Sequence, residues 1–236
     1  EDVEEIKPGA VLAERYRLEA EIGAGAYGTV YKAHHLGLNH SVAVKILGQS
    51  ALSTPDEVAT FQREGINTCR VQHPHAVSIF DFGVTPQGTA FLVMELLNGH
   101  ALDEELAEGR AITPERATKI LVEVCNVLAA AHTAGIIHRD LKPQNIFLHQ
   151  YAGGETVKVL DFGIAKLVDH AEDSAQDDAD SLYGTPYYIA PERIRKKPYD
   201  GRADVYSVGV LAYEMLTGEL PFDSEVEDLI PLFRMH

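Results

Sequence analysis

The sequence predicts an α+β chain in two lobes, and three observations carry that reading. Between Tyr16 and Leu47 the residues come in short β-branched runs broken by glycine, which is strand-and-hairpin texture. After Asn98-Gly99 apolar residues recur at helical spacing instead. With 236 residues and 45% hydrophobic content, the chain can build one sizeable core or two small lobes sharing a cleft. The change of texture near 95–99 therefore marks a joint. Residues 1–14 read as an acidic N-terminal extension, 15–97 as a small antiparallel sheet lobe with one helix, and 98–236 as a mainly helical lobe.

Each element has a local reason. Val42-Ala43-Val44-Lys45 alternates as a strand, with Ala43 and Lys45 on one face. Thr54-Pro55-Asp56-Glu57 predicts a helix start, with Thr54 as N-cap, Pro55 at the first helical position and Glu57 reaching back. Val58, Phe61, Ile66 and Cys69 give that helix an apolar face. Strands follow at 77–82 and 89–94, split by the turn Thr85-Pro86-Gln87-Gly88. Thr113-Pro114 starts a second long helix. Its expected buried face is Ala117, Ile120, Leu121, Val124, Cys125 and Leu128, with Gly135 at C′. The stretch 205–216 is apolar nearly all round and predicts a helix buried in the middle of its lobe, stopped by Gly218 and Pro221. Residues 169–180 hold six acids and read as an exposed mobile loop.

Composition excludes several classes. A net charge of −16 repels a phosphate backbone or an anionic bilayer, so neither nucleic acid nor membrane contact is expected of this segment. No apolar run reaches the ~20 residues that span a bilayer, and the acidic start is unlike a signal peptide. A cytoplasmic setting follows as the expectation, with any membrane anchor lying outside the segment. Cys69 and Cys125 read as buried thiols in a reducing compartment, and no His/Cys/Asp spacing fits zinc.

The most informative stretch is His138-Arg139-Asp140-Leu141-Lys142-Pro143-Gln144-Asn145, followed beyond a short hairpin by Asp161-Phe162-Gly163. It places a lone carboxylate, a lysine and an asparagine in one loop, with a second carboxylate after it. Phosphoryl transfer from a metal-nucleotide needs such a set: a base for a hydroxyl, a cation near the moving phosphate, and hard oxygen donors for magnesium. Upstream, Ile22-Gly23-Ala24-Gly25-Ala26-Tyr27-Gly28-Thr29-Val30 is rich in glycine, which lets backbone N–H groups approach phosphate oxygens. A dinucleotide fingerprint would need a helix directly after these glycines. Val30-Tyr31-Lys32-Ala33 continues as a strand, which favours a phosphate-covering hairpin.

Taken together, these motifs resemble the catalytic domain of eukaryotic-type protein serine/threonine kinases, in texture the bacterial eukaryotic-like branch, over residues 16 to about 222. The resemblance implies the two-lobed kinase fold. Its catalytic loop would be 138–145 and its activation segment 161–192, ending in Ala190-Pro191-Glu192. It implies Asp140 as catalytic base, Lys142 on the γ-phosphate, and Asn145 and Asp161 on Mg2+. Lys45 would hold the α- and β-phosphates and pair with Glu64. Thr185 would bridge Asp140 and Lys142. ATP would be held by Ile22, Gly23, Gly25, Gly28, Val30, Ala43 and Phe147, with Met94 as gatekeeper and Glu95, Leu96 and Leu97 as hinge. His138, Phe162, Ile79 and Thr68 would stack as a spine, and Asp204 would fasten the catalytic-loop backbone.

The implied function is Mg-ATP-dependent phosphorylation of Ser/Thr hydroxyls on proteins, and it leaves room for a homodimer whose copies phosphorylate each other. The alternative is a non-catalytic kinase-like scaffold, against which stand Lys45, Asp140 and Asp161, all present. In the family, the glutamate matching Glu192 pairs with an arginine near the end of the domain. Only Arg234 follows Arg202, so the terminal helices of the large lobe are expected to be missing.

Overall fold

The computed structural model describes residues 7–25, 28–47, 71–162, 186–222 and 235. They fall into two compact units, one within 7–47 and 77–97, the other holding 71–76, 98–162 and 186–222. The helix expected from Thr54, with Glu64, Thr68 and Cys69, lies outside the described residues, as do the acidic run 169–180 and Thr185.

The first unit is an antiparallel sheet of β1 (Val11–Leu12), β2 (Tyr16–Gly25), β3 (Gly28–His35), β4 (His40–Leu47), β5 (Ile79–Val84) and β6 (Ala90–Met94), in spatial order β1-β2-β3-β4-β6-β5. Two residues before the joint drawn at 14/15 thus enter the sheet, and Leu12 is buried there. The register sorts the two faces. Tyr31 pairs with Val44, and Val44 with Val93. This face, with Leu18, Ala33, Val42 and Phe91, forms the apolar core of the unit. The period of two sends Val30, Ala43, Lys45 and Met94 to the other face, where Val30 pairs with Lys45 and Ala43 with Met94. The sheet curls enough for Tyr16 on β2 to donate its hydroxyl to Asp81 Oδ2 on β5 at 2.7 Å. Burial and that carboxylate push the Tyr16 phenol up to about 12.

The second unit pairs β7 (Gly99–Ala101), β8 (Ile146–Tyr151) and β9 (Gly154–Val159) with the helices α1 (Leu102–Leu106), α2 (Pro114–Thr133), α3 (Pro191–Ile194) and α4 (Arg202–Thr217). Thr113 caps α2 by accepting from Arg116 N, with Pro114 in the first turn. Gly135 follows with φ 75°, as a helix stop requires. Leu102, Leu141, Ile146, Leu148, Val124, Val127 and Leu211 are buried together in the core of this unit.

Two expectations are corrected. Cys125 is exposed. The buried stripe of α2 is Ala117, Ile120, Val124, Val127, Leu128 and Ala131, and Cys125 is turned about 100° from Val124, out of that stripe. The helix over 205–216 forms as α4 but is buried on one side only. Ala203, Ser207, Val210, Leu211 and Met215 face inward, while Val205, Tyr213 and Leu216 are 62%, 46% and 48% exposed. Apolar composition all round marks a helix able to be buried; which faces find neighbours is decided by packing.

Candidate active site

In the first unit the β2–β3 hairpin brings Gly25 opposite Gly28 and Gly23 opposite Val30. Gly28 has φ 126°, and a Cβ there would meet Ile46 O at 1.9 Å, so only glycine fits. A Cβ on Gly23 or Gly25 would meet nothing within 4 Å among the described residues, which leaves the backbone open to approach from them. Ile22 beside them is 51% exposed. Lys45 is buried at 6% exposure, on the face it shares with Val30, Ala43 and Met94. Glu95 begins the segment after β6. Its N–H donates to Ser78 O at 3.0 Å and its side chain accepts from Ser78 N at 2.7 Å, with half-buried Leu97 two residues on.

In the second unit the loop 138–145 is gripped from both ends. Leu141 and Ile146 plug it into the core at 1% and 0% exposure. Asp204, at the start of α4 and itself 1% exposed, accepts from His138 N at 2.8 Å and Arg139 N at 3.0 Å. His132 Nε2 reaches the same carboxylate at 2.7 Å. Burying a carboxylate is costly unless it is hydrogen-bonded, and three donors here meet that condition. Arg139 takes φ 72° and Asp161 φ 61°, and such left-handed conformations in ordinary residues cluster at functional sites.

Asp140 Oδ2 lies 2.9 Å from Lys142 Nζ and accepts from Asn145 Nδ2 at 3.1 Å. Asn145 Nδ2 also donates to Asp140 O at 2.7 Å, which leaves Oδ1 as the asparagine oxygen able to meet a cation. Leu160, just before Asp161, donates its N–H to Asn145 O at 2.9 Å and its carbonyl lies 2.8 Å from His138 Nε2. The second carboxylate is thereby delivered to the loop carrying the first. Asp140 N donates to His138 Nδ1, so the ring carries its proton on Nε2. The His138 and Phe162 rings meet edge to face at 4.7 Å, as expected of the spine. Phe147 is half-buried on β8.

Downstream, Tyr188 is fixed on α4: Ser207 Oγ donates to its carbonyl at 2.8 Å, and its hydroxyl donates to Glu214 Oε2 at 2.5 Å. Burial raises the pKa of both Tyr188 and Glu214. Each unit thus gathers its own share of the expected site residues, Glu64 and Thr185 excepted because they lie outside the described residues. Sequence reasoning missed His132, whose partner Asp204 is 72 residues away and which no local pattern signals.

A glycine hairpin beside a buried strand lysine in one unit, and a buried Asp/Lys/Asn loop leading to a second aspartate in the other, are the motif set of the protein-kinase class. The Protein kinase domain family matches residues 16–232, and the chain belongs to that family. Serine/threonine-protein kinase pkn3 of Myxococcus xanthus is 42% identical over 219 residues, which is 92% of this chain and 40% of that protein. PknB of Mycobacterium tuberculosis is 37% identical over 217 residues, 91% of this chain and 34% of that protein. The chain thus spans well under half the length of these curated relatives. The crystal structure of the PknI kinase domain of Mycobacterium tuberculosis superposes with a TM-score of 0.72 at 27% identity, covering 94% of this chain and 82% of that one.

Proposed function

We propose that this chain is the catalytic domain of a Mg-ATP-dependent serine/threonine protein kinase, moving the γ-phosphate of ATP to hydroxyls on protein substrates. The observation that carries the proposal is the Asp140–Lys142–Asn145 cluster, held on a loop whose backbone hangs from Asp204. With Oδ2 engaged by Lys142 and Asn145, Asp140 Oδ1 is the oxygen left to orient the substrate hydroxyl and accept its hydrogen. Lys142, held within reach of the same point, offsets charge on the phosphate as it moves. Asn145 Oδ1 and the Asp161 carboxylate are hard oxygen donors of the kind magnesium takes, and they are the residues that would hold it. Bound there, the metal would neutralise phosphate charge. Gly23, Gly25 and Gly28 would offer backbone N–H groups to the phosphates, with Ile22, Val30, Ala43, Met94 and Phe147 against the base, Glu95 and Leu97 at its edge, and Lys45 as phosphate anchor.

The test is transfer of label from γ-labelled ATP to a mixed Ser/Thr/Tyr peptide library with and without Mg2+. Asp140→Asn should lower turnover by about 10²–10⁴-fold, the usual worth of a positioned general base. Undiminished turnover in that variant overturns the assignment of Asp140, and phosphotyrosine as the main product overturns the substrate class.

A further inference from the structure

Charge is spread unevenly over this chain. It carries 36 acidic against 20 basic side chains, yet Arg193, Arg195, Lys196, Lys197 and Arg202 all fall within residues 193–202, where Asp200 is the sole acid. Arg195, Lys196 and Lys197 are exposed. Asp200 is taken up by Arg202 at 2.9 Å, and the other four cations have no carboxylate partner among the described residues. Cations packed this densely repel one another and attract anions.

A second observation ties the stretch to the catalytic loop. Arg193 Nη1 donates to Arg139 O. The two guanidinium groups share one ring, Arg193 at 5.6 Å and Arg139 at 5.9 Å from the centroid of Tyr199. Arg139 Nε is buried there without a hydrogen-bond partner. Two like charges therefore share one ring on the residue before Asp140, neither with a carboxylate salt-bridge partner among the described residues, and the basic stretch runs outward from that point.

We propose that Arg193, Arg195, Lys196 and Lys197 form a docking surface for acidic segments of protein substrates, so that aspartate and glutamate near the phosphoacceptor determine specificity. A flexible acidic peptide suits such a surface because it can lay several carboxylates along successive cations. Nucleic acid and anionic membrane fit less well, since each would meet the whole −16 charge of the chain along an extended polyanion. The proposal rests on the kinase reading for the fate of the peptide, but not for its binding.

The experiment therefore measures both. The full-length chain is titrated into two fluorescein-labelled peptides with one serine each, flanked in one by Asp and Glu and in the other by Asn and Gln, with anisotropy as the readout. The triple variant Arg195→Gln, Lys196→Gln, Lys197→Gln changes only exposed side chains and keeps the fold. The wild type should bind the acidic peptide about tenfold more tightly, the sum expected of several exposed charge pairs. That advantage should vanish near 1 M salt, where screening shortens to ~3 Å. In the triple variant the advantage should be lost, with KM for the acidic peptide raised and kcat unchanged. Equal binding of the two peptides, a variant that keeps the preference, or equal affinity for single-stranded DNA or phosphatidylserine vesicles would each overturn the docking surface. If the acidic peptide binds as expected but accepts no phosphate, the surface stands and the kinase reading falls. If both peptides are phosphorylated alike by wild type and variant, the kinase reading stands and the surface falls.

Discussion

Asp204 and Asp200 are the same side chain four residues apart, and the chain uses them in opposite ways. Asp204 is 1% exposed and holds three donors, two of them backbone N–H groups of the catalytic loop. Among the described residues the Asp200 side chain holds only Arg202, through its backbone N–H and Nε at 2.9 Å each, with both side chains mostly in solvent. Burial decides what each carboxylate is worth. A buried charge stripped of its partners is expensive, so Asp204 fixes geometry. An exposed pair is screened and contributes little to stability, so Asp200 can only adjust the charge of the surface around it.

The comparison is broken most sharply by Asp204→Ala. Three donors would lose their acceptor at once, two of them inside the core. Stability should fall by about 3–5 kcal/mol, the usual cost of breaking a buried network. Turnover should fall about 10²-fold in whatever fraction stays folded, because the loop carrying Asp140 would no longer be held in place. Thermal denaturation alongside the labelled-ATP assay reads both, and a variant with the parent's melting midpoint would remove Asp204 from its role. His132→Ala takes away one donor of the three and should cost about 1–2 kcal/mol. It should lower kcat while leaving KM for ATP nearly unchanged, since it acts on the loop and not on nucleotide contacts.

What could be read from the sequence follows the same division. The sheet over 16–47 was legible because a period of two and well-placed glycines are local signals, and β3 and β4 form as expected. The loop 138–145 was legible because its chemistry is contiguous. Asp204 was legible only through family resemblance. Its partner His132 was not, because a contact across 72 residues leaves no trace in spacing. Cys125 misled because cysteine is apolar enough to pass for a core residue while lying just beside the buried stripe. The stretch 205–216 misled because its composition does not say which face meets α2. The strand β1 went unread because two residues are too few to show a period.

Between the extremes stands Arg116 on α2. Its guanidinium lies 2.5 and 2.9 Å from Glu105 and 3.0 and 3.2 Å from Glu155, joining α1 to β9, with all three side chains 20–35% exposed. Hydrogen bonds from Arg116 hold the Glu105 carboxyl below its ordinary range, against the opposing effect of burial, with His100 assisting. A depressed folded-state pKa contributes stability above the unfolded value of about 4.3, and that contribution is lost as pH falls through the folded value. Melting midpoints from pH 7 down to 3 should therefore show an acid limb that Arg116→Met flattens. The loss at neutral pH should be about 1 kcal/mol or less, because solvent screens the cluster. Parallel pH profiles for parent and variant would show that the network adds nothing.

The smallest structural effect and the sharpest contrast belong to Asp200→Asn. Hydrogen bonds from Arg202 lower the Asp200 pKa, yet the carboxylate is exposed, and screening removes nearly all of that interaction as stability. The melting midpoint should not move. Peptide binding should move, because the substitution removes the sole acid of residues 193–202 and releases Arg202 to join four cations with no carboxylate partner among the described residues. The acidic peptide should bind a few-fold more tightly, with the gain lost at high salt and absent for the neutral peptide. A lower melting midpoint would mean that the exposed pair is structural after all. Unchanged affinity for the acidic peptide would mean that Arg202 lies outside the docking surface and that the surface ends at Lys197.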